Sequence, residues 1–268
     1  MINSGKRSVL GVQVDVTDYE SAVDRTVDAA RKRIPFAVTA LPVHGIMTGA
    51  RDAEHRYRLN QFDLLTPDGQ PVRWAMNLLH GVGLRERVYG PTLMLALCER
   101  LAREKLSIYL FGSREETIAL LSTNLQRRVP TLRIAGSQPG RYKVLSSSER
   151  EDIVRTIRQS GAALVFVGLG CPRQEIWAYE NRAALSMPAV CVGAAFDFHA
   201  GTVSQAPAFL QRVGLEWAYR LALEPKRLWR RYVLLNPLYI AMVAAQASGT
   251  MNFDSPPPQP PKRDLNYG

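Results

Sequence analysis

The chain is poor in cysteine: Cys98, Cys171 and Cys191 stand far apart in apolar surroundings among 268 residues. An odd count, with no CxxC pair and no Cys/His cluster at zinc spacing, excludes a disulfide framework and a zinc-finger fold. Buried free thiols in a reducing cytoplasm are the expectation. The opening stretch MINSGKRSVLGVQVDV lacks the apolar segment and small-residue cleavage site of a signal peptide, so the protein is expected to stay inside the cell. The apolar run Tyr232 to Ala247 falls short of the ~20 residues needed to cross a bilayer, and Pro237 interrupts it. Neither a P-loop nor a GxGxxG fingerprint occurs, which argues against an ATP or nicotinamide site. No DxD triplet occurs either, so the usual carboxylate clamp for a divalent ion on a nucleotide diphosphate is missing. No metal and no cofactor are expected.

Acids are also under-represented, 24 against 34 basic residues, leaving a net charge of +10. Such a balance calls for an anionic partner: nucleic acid, phospholipid headgroup or phosphorylated substrate. Charge alone does not choose among them.

Apolar stretches rich in Val, Ile and Phe recur at Val9–Val14, Phe36–Ala40, Leu106–Phe111, Leu132–Ala135, Ala163–Gly168 and Ala189–Gly193, with helix-length segments between them. That alternation predicts an α/β fold, a Rossmann-like, mainly parallel sheet with flanking helices. Thr17 with Glu20 reads as a capping box, ahead of an apolar stripe at Tyr19, Ala22, Val23, Val27 and Ala30. Residues 1–203 form the expected core. From 204 to 247 the chain turns basic, aromatic and helix-prone, and residues 212–231 carry six basic side chains (Arg212, Arg220, Lys226, Arg227, Arg230, Arg231) against Glu216 and Glu224. This reads as a helical appendage lying at a membrane interface. Residues 248–268, with SPPPQPPK, read as a disordered tail.

Ligands of open α/β sheets sit beyond the carboxyl ends of the strands. The candidates there are the loops TPDG (Asp68), FGS, GLGCPRQE (Gln174, Glu175) and AFDFHAG (Asp197, His199). TPDG is also an ordinary turn sequence. GLGCPRQE, between a strand and a helix, could aim backbone amides at a phosphate or simply close the turn. His199 alone reads as a hydrogen-bonded structural histidine. Without a metal clamp, a diphosphate would have to be met by arginine, and Arg87 and the 212–231 cluster are the supply.

TPDGQPVRW, ERVYGPTLM, IYLFGS, FVGLGCPRQEIWA, GAAFDFHAGTVSQAP and QRVGLEWAYRLALEPKRLWRRY, in that order, resemble the WecG/TagA/CpsF family of glycosyltransferases from about Val9 to Tyr232. The resemblance implies an inverting, metal-independent transfer from a UDP-sugar to a polyprenyl-diphosphate-linked saccharide. It places that reaction on the cytoplasmic face of the bacterial inner membrane, in teichoic acid, antigen or exopolysaccharide assembly. It assigns the base to Asp68 and substrate contacts to Arg87, Gln174 and the strand-end Thr39. The appendage arginines, spaced seven and three apart, fall on Arg220, Arg227 and Arg230. One departure is Thr39-Ala-Leu-Pro42, where wall-teichoic relatives have Thr-x-Asn-Pro. Leu41 offers no amide, so the resemblance does not carry their N-acetylmannosamine specificity over. The pattern does not fix the oligomeric state, and a homo-oligomer stays open.

Two other classes compete on composition. A nucleic-acid-binding protein accounts for the charge, but no groove-reading or base-stacking motif is present. A dinucleotide-dependent oxidoreductase accounts for the βα pattern but lacks its glycine fingerprint.

Overall fold

The computed structural model describes residues 1–253 and 259–268, apart from the Arg231 side chain. Its first strands, β1 (Asn3–Val9) and β2 (Val12–Thr17), pair antiparallel around a two-residue turn. The expected single strand Val9–Val14 is therefore split. Leu10 and Gly11 both take positive φ (52° and 81°), the twist that suits a two-residue hairpin, and the hairpin stays outside the main sheet. In α1 (Tyr19–Lys32) the cap is Asp18, which accepts from the Ser21 N–H, rather than the expected Thr17 box. Asp18 sits one residue nearer the helix, with a carboxylate on the amide ends.

After these come β3 (Phe36–Leu41), α2 (Val43–Arg51), α3 (Ala53–Asn60), β4 (Leu64–Pro67), α4 (Gln70–His80) and α5 (Gly90–Arg103). They are followed by β5 (Ser107–Gly112), α6 (Glu115–Arg128), β6 (Arg133–Gln138), α7 (Ser147–Gln159), β7 (Leu164–Gly168), α8 (Arg173–Leu185), β8 (Pro188–Cys191) and α9 (Gly193–Ala200). The six strands form one parallel sheet in the order β4-β3-β8-β7-β5-β6. AFDFHA, expected as a loop, is helix α9, closed by Gly201 at φ 78°. Alternation along each strand feeds two apolar layers: Val165 and Val167 join α2, α4, α7 and α8, whereas Leu164 and Phe166 join α1, α5, α6 and α9. Helices on both faces explain why the central strands read as unbroken apolar runs.

The C-terminal helices are α10 (Ala208–Arg212), α11 (Glu216–Leu223), α12 (Pro225–Trp229) and α13 (Leu235–Ala247), with a π-helical turn at Arg230–Leu234. Pro237 does not break the run: it lies in the first turn of α13, directly after the π-helical turn, and the chain stays helical through both. Nor is α13 purely interfacial. Tyr239 and Val243 are buried in the core, the Tyr239 hydroxyl donates to Pro71 O (3.1 Å), and Gln246 bridges Leu10 N and Ser8 O. Its other side exposes Leu238 and Ile240. No helix of the described residues is long and apolar enough to cross a membrane. The expected tail also departs from expectation: residues 259–268 pack on α8 through hydrogen bonds to Glu180, while 254–258 lie outside the described residues.

The hairpin is fastened to the strand that carries TPDG. Buried Asp15 accepts from Leu65 N–H (2.8 Å) and pairs with Arg25 (3.0 Å). Replacing Asp15 by Ala strands a buried amide and an arginine, so we expect a loss of about 2–3 kcal/mol in urea denaturation. A loss within measurement error would show that β4 does not depend on this bond.

Candidate active site

A cavity of about 820 Å³ opens beyond the carboxyl ends of the parallel strands and continues beneath α11 and α12. Loops after β3, β4, β5, β7 and β8 all reach it, and its wall includes Asp68, Arg87, Gln174, Asp197, Arg220 and Arg227.

Asp68 lies where β4 passes into α4. The strand is zipped to the following segment by Val88 N–H to Pro67 O (3.0 Å) and Thr66 Oγ1 to Val88 O (3.2 Å). That pairing brings the amino end of α5 to the carboxylate, and Gly90 N–H donates to Asp68 Oδ1 at 3.1 Å. Burial pushes the Asp68 carboxyl up to about 7; Arg87, the Gly90 amide and Arg220 act against the shift, and Glu216 adds to it. A carboxyl poised near neutrality in a cleft is the setting of a general base.

Arg87 stands beside it. Its guanidinium donates to Glu216 Oε2 (2.8 Å) and Gln211 Oε1 (3.1 Å) and lies 4.2 Å from the Tyr89 ring centre. The Tyr89 hydroxyl donates to the other Glu216 oxygen at 3.1 Å. Burial works against the Arg87 charge, but Asp68 and Glu216 outweigh it and hold the group above its ordinary value. Glu216, Gln211 and Tyr89 were not singled out by sequence reasoning. The one available signal was an acid at the start of a basic segment.

Arg220 of α11 lies 5.5 Å from the Phe198 ring, and its Nε is buried with no hydrogen-bond partner among the described residues. Arg227 of α12 lines the cavity, paired with Glu224. Asp197 of α9, on the same wall, is raised by burial and restrained by Arg227. Arg230 does not join them: it opens the π turn, is exposed, and stacks 5.3 Å from the Trp229 ring.

Two expected contact residues bond within the protein itself. Thr39 is fully buried and outside the lining, because strand alternation turns it toward α8, where its hydroxyl donates to Glu175 Oε1 (3.0 Å). Gln174 borders the cavity, but its amide oxygen accepts from Gly170 N–H (3.1 Å) and Gly193 N–H (3.0 Å), clasping the β7 and β8 loops together. Its amide nitrogen donates to Glu175 Oε1 at 2.8 Å, and burial raises the Glu175 carboxyl. Two of the loop amides, those of Gly170 and Gly193, are thus spent on Gln174 and not on a phosphate. His199 is structural, its Nε2 lying 2.9 Å from Pro91 O.

A parallel α/β sheet with Asp68 raised toward neutrality among guanidinium groups and further carboxylates beyond its strand ends has its site where open α/β sheets hold their ligands. Residues 7–252 match the glycosyl transferase WecG/TagA/CpsF family, and the chain belongs to it. It is 31% identical over 233 residues to the N-acetylglucosaminyldiphosphoundecaprenol N-acetyl-beta-D-mannosaminyltransferase of Bacillus spizizenii, an alignment covering 87% of each chain.

The Asp68 shift has a consequence for stability. The folded-state value near 7 exceeds the ordinary 3.8, so between those values the folded protein holds a proton that the unfolded chain has released. Stability contributed at this site is present at acid pH and lost as pH rises through about 7. Asp68→Asn escapes that loss. Thermal denaturation from pH 4 to 8 should find the variant more stable than wild type at pH 8, with the gap closing toward pH 4. A gap independent of pH would contradict the shifted carboxyl.

Proposed function

We propose that this protein transfers a sugar, with inversion, from a UDP-sugar to a polyprenyl-diphosphate-linked saccharide in assembly of a bacterial cell-surface polysaccharide. The observation that carries the reading is Asp68, held near neutrality within a wall of arginines. Asp68 takes the proton of the acceptor hydroxyl as that oxygen forms its bond to the anomeric carbon. The bond from that carbon to the diphosphate oxygen breaks on the opposite side, and UDP leaves with the electron pair. One base and no second carboxylate acting as nucleophile is the economy of a single displacement. Charge growing on the leaving diphosphate is met by Arg220 and Arg227, guanidinium groups suited to phosphate oxygens. The acceptor class is supported by the Bacillus relative, whose name specifies a diphosphoundecaprenol-linked sugar.

The C-terminal helices serve a second purpose in this reading, holding the enzyme on the anionic cytoplasmic leaflet. Their outer side exposes Trp229, Val233, Leu234, Leu238 and Ile240 beside Lys226 and Arg230. Each basic side chain near such a surface contributes ~1 kcal/mol, and the apolar side chains enter the interface.

Asp68→Asn should bind UDP normally yet lose roughly 10²- to 10⁴-fold in turnover with a short-chain polyprenyl-diphosphate acceptor. Near-normal turnover would remove Asp68 from the role. Activity should persist in excess EDTA; loss with rescue by one divalent ion would instead point to a ligand set around Asp197. In wild type, kcat/KM should rise through pH about 7. Glu216→Gln, which deletes a charge that raises Asp68, should move that limb to lower pH. With a soluble acceptor, Arg220→Ala and Arg227→Ala should cost far more turnover than Arg230→Ala, whose loss should appear in vesicle binding. Equal costs for all three would mean that the cavity wall is drawn wrongly.

A further inference from the structure

The family match spans residues 7–252, and residues 259–268 lie beyond it. They are nevertheless held by a specific set of bonds. The Glu180 carboxylate of α8 accepts from Leu265 N–H (2.6 Å) and Asn266 N–H (3.0 Å), and Asp264 pairs with Arg150 of α7 at 2.8 Å. Asn266 O accepts from Leu145 N–H (2.7 Å), Gly268 N–H donates to Lys143 O (3.3 Å), and Tyr267 forms an antiparallel bridge with Val144. Gly268 is buried against the Leu145 side chain.

The segment so gripped, between β6 and α7, carries one wall of the cavity. Tyr142 lines it, hydrogen-bonds to Ser113 and has a φ of 53°. A tyrosine in that region persists only when its surroundings hold it there. Two features do so here: Gly140 N–H donates to Ser113 O (3.0 Å), and Arg173 lies between two rings, 6.0 Å from Tyr142 and 5.6 Å from Tyr267. Tyr267 therefore reaches the cavity wall through a single guanidinium.

The position of that wall says what it meets. β4, bearing Asp68, and β5, leading to Ser113, stand four places apart in the sheet, about 19 Å at the usual strand spacing. That is the span of an extended nucleotide sugar. With the anomeric carbon at Asp68 and the diphosphate at Arg220 and Arg227, the nucleoside falls at the Tyr142 end. We propose that residues 259–268 form a strap that positions Tyr142, through Tyr267 and Arg173, as the wall against which the nucleoside end of the donor seats. This rests on the donor reading given above. Tyr267 is a positioning residue and does not itself reach the cavity.

The test compares wild type with a chain lacking residues 259–268, Tyr267→Ala and Tyr267→Phe in two measurements. The first is hydrogen exchange of residues 139–145 without ligand, and the second is UDP binding by calorimetry. Deletion and Tyr267→Ala should speed exchange in that segment and weaken UDP binding about ten-fold, the scale of losing a cation–π pair and an ordered wall. Tyr267→Phe keeps the ring and should match wild type in both. Unchanged exchange after deletion and in Tyr267→Ala overturns the strap; faster exchange with unchanged UDP affinity overturns its link to the nucleoside. Should the deleted chain fail to fold, Tyr267→Ala decides alone. A wild-type protein that binds no UDP would remove the donor reading, while the exchange measurement still decides the strap.

Discussion

The ion pair between Arg87 and Glu216 is the contact on which the site depends. It is the meeting point of two parts of the chain that are 129 residues apart, the segment zipped onto β4 and the first turn of α11. Both ends are largely withdrawn from water, and Tyr89 and Gln211 occupy further bonding positions, so the pair is fully engaged rather than a loose surface contact. Breaking one side of such a pair leaves a charge stranded in a poor solvent, which is why a buried pair fixes geometry more than it adds stability. The result is that α11 and α12 roof the strand ends, and Arg220 and Arg227 enter the cavity at all.

The same pair sets the electrostatics around Asp68. Burial raises the carboxyl, Arg87 and Arg220 draw it down, and Glu216 pushes it back up. Arg227 is matched in the same way, by Glu224 and by the nearby Asp197, whereas Arg220 lies against the Phe198 ring with its Nε unpartnered among the described residues. Glu216 and Glu224 thus hold the Arg87 and Arg227 guanidinium groups in place. A diphosphate would compete for Arg227, so binding an anion there exchanges one set of partners for another instead of filling bare positive charge.

Below the cavity, the Gln174–Glu175–Thr39 cluster is a scaffold. Gln174 joins two loops by backbone amides on both, and Thr39 and Glu175 anchor it to β3. Thr39 lies behind the wall and Gln174 and Glu175 form part of it, so substitution at any of them would disturb the cavity's shape. The place of Thr39 in a recognisable motif is therefore compatible with a role that involves no contact with substrate.

Much of this was legible in the chain itself, because it rests on local rules. Buried parallel strands need unbroken apolar runs, so five of the six sheet strands stood out, and TPDG marked the end of the sixth; the ordered motifs named the family. What stayed hidden required distance. Leu10-Gly11 splits an apolar stretch through two backbone angles, Pro237 is accommodated where the π turn passes into α13, and residues 259–268 are held by Glu180, a residue in the middle of α8. Arg227 and Arg230 share a spacing but not a cavity: Arg227 lines it, and Arg230, where the π turn starts, faces out beside Trp229. The sequence by itself determined the α/β class, the family and the carboxylate at the end of β4, each a matter of neighbouring residues. Only the tertiary structure decided that Glu216 completes the site and that Thr39 lies behind it, because which side chains meet across the sheet is set by packing and not by position in the chain.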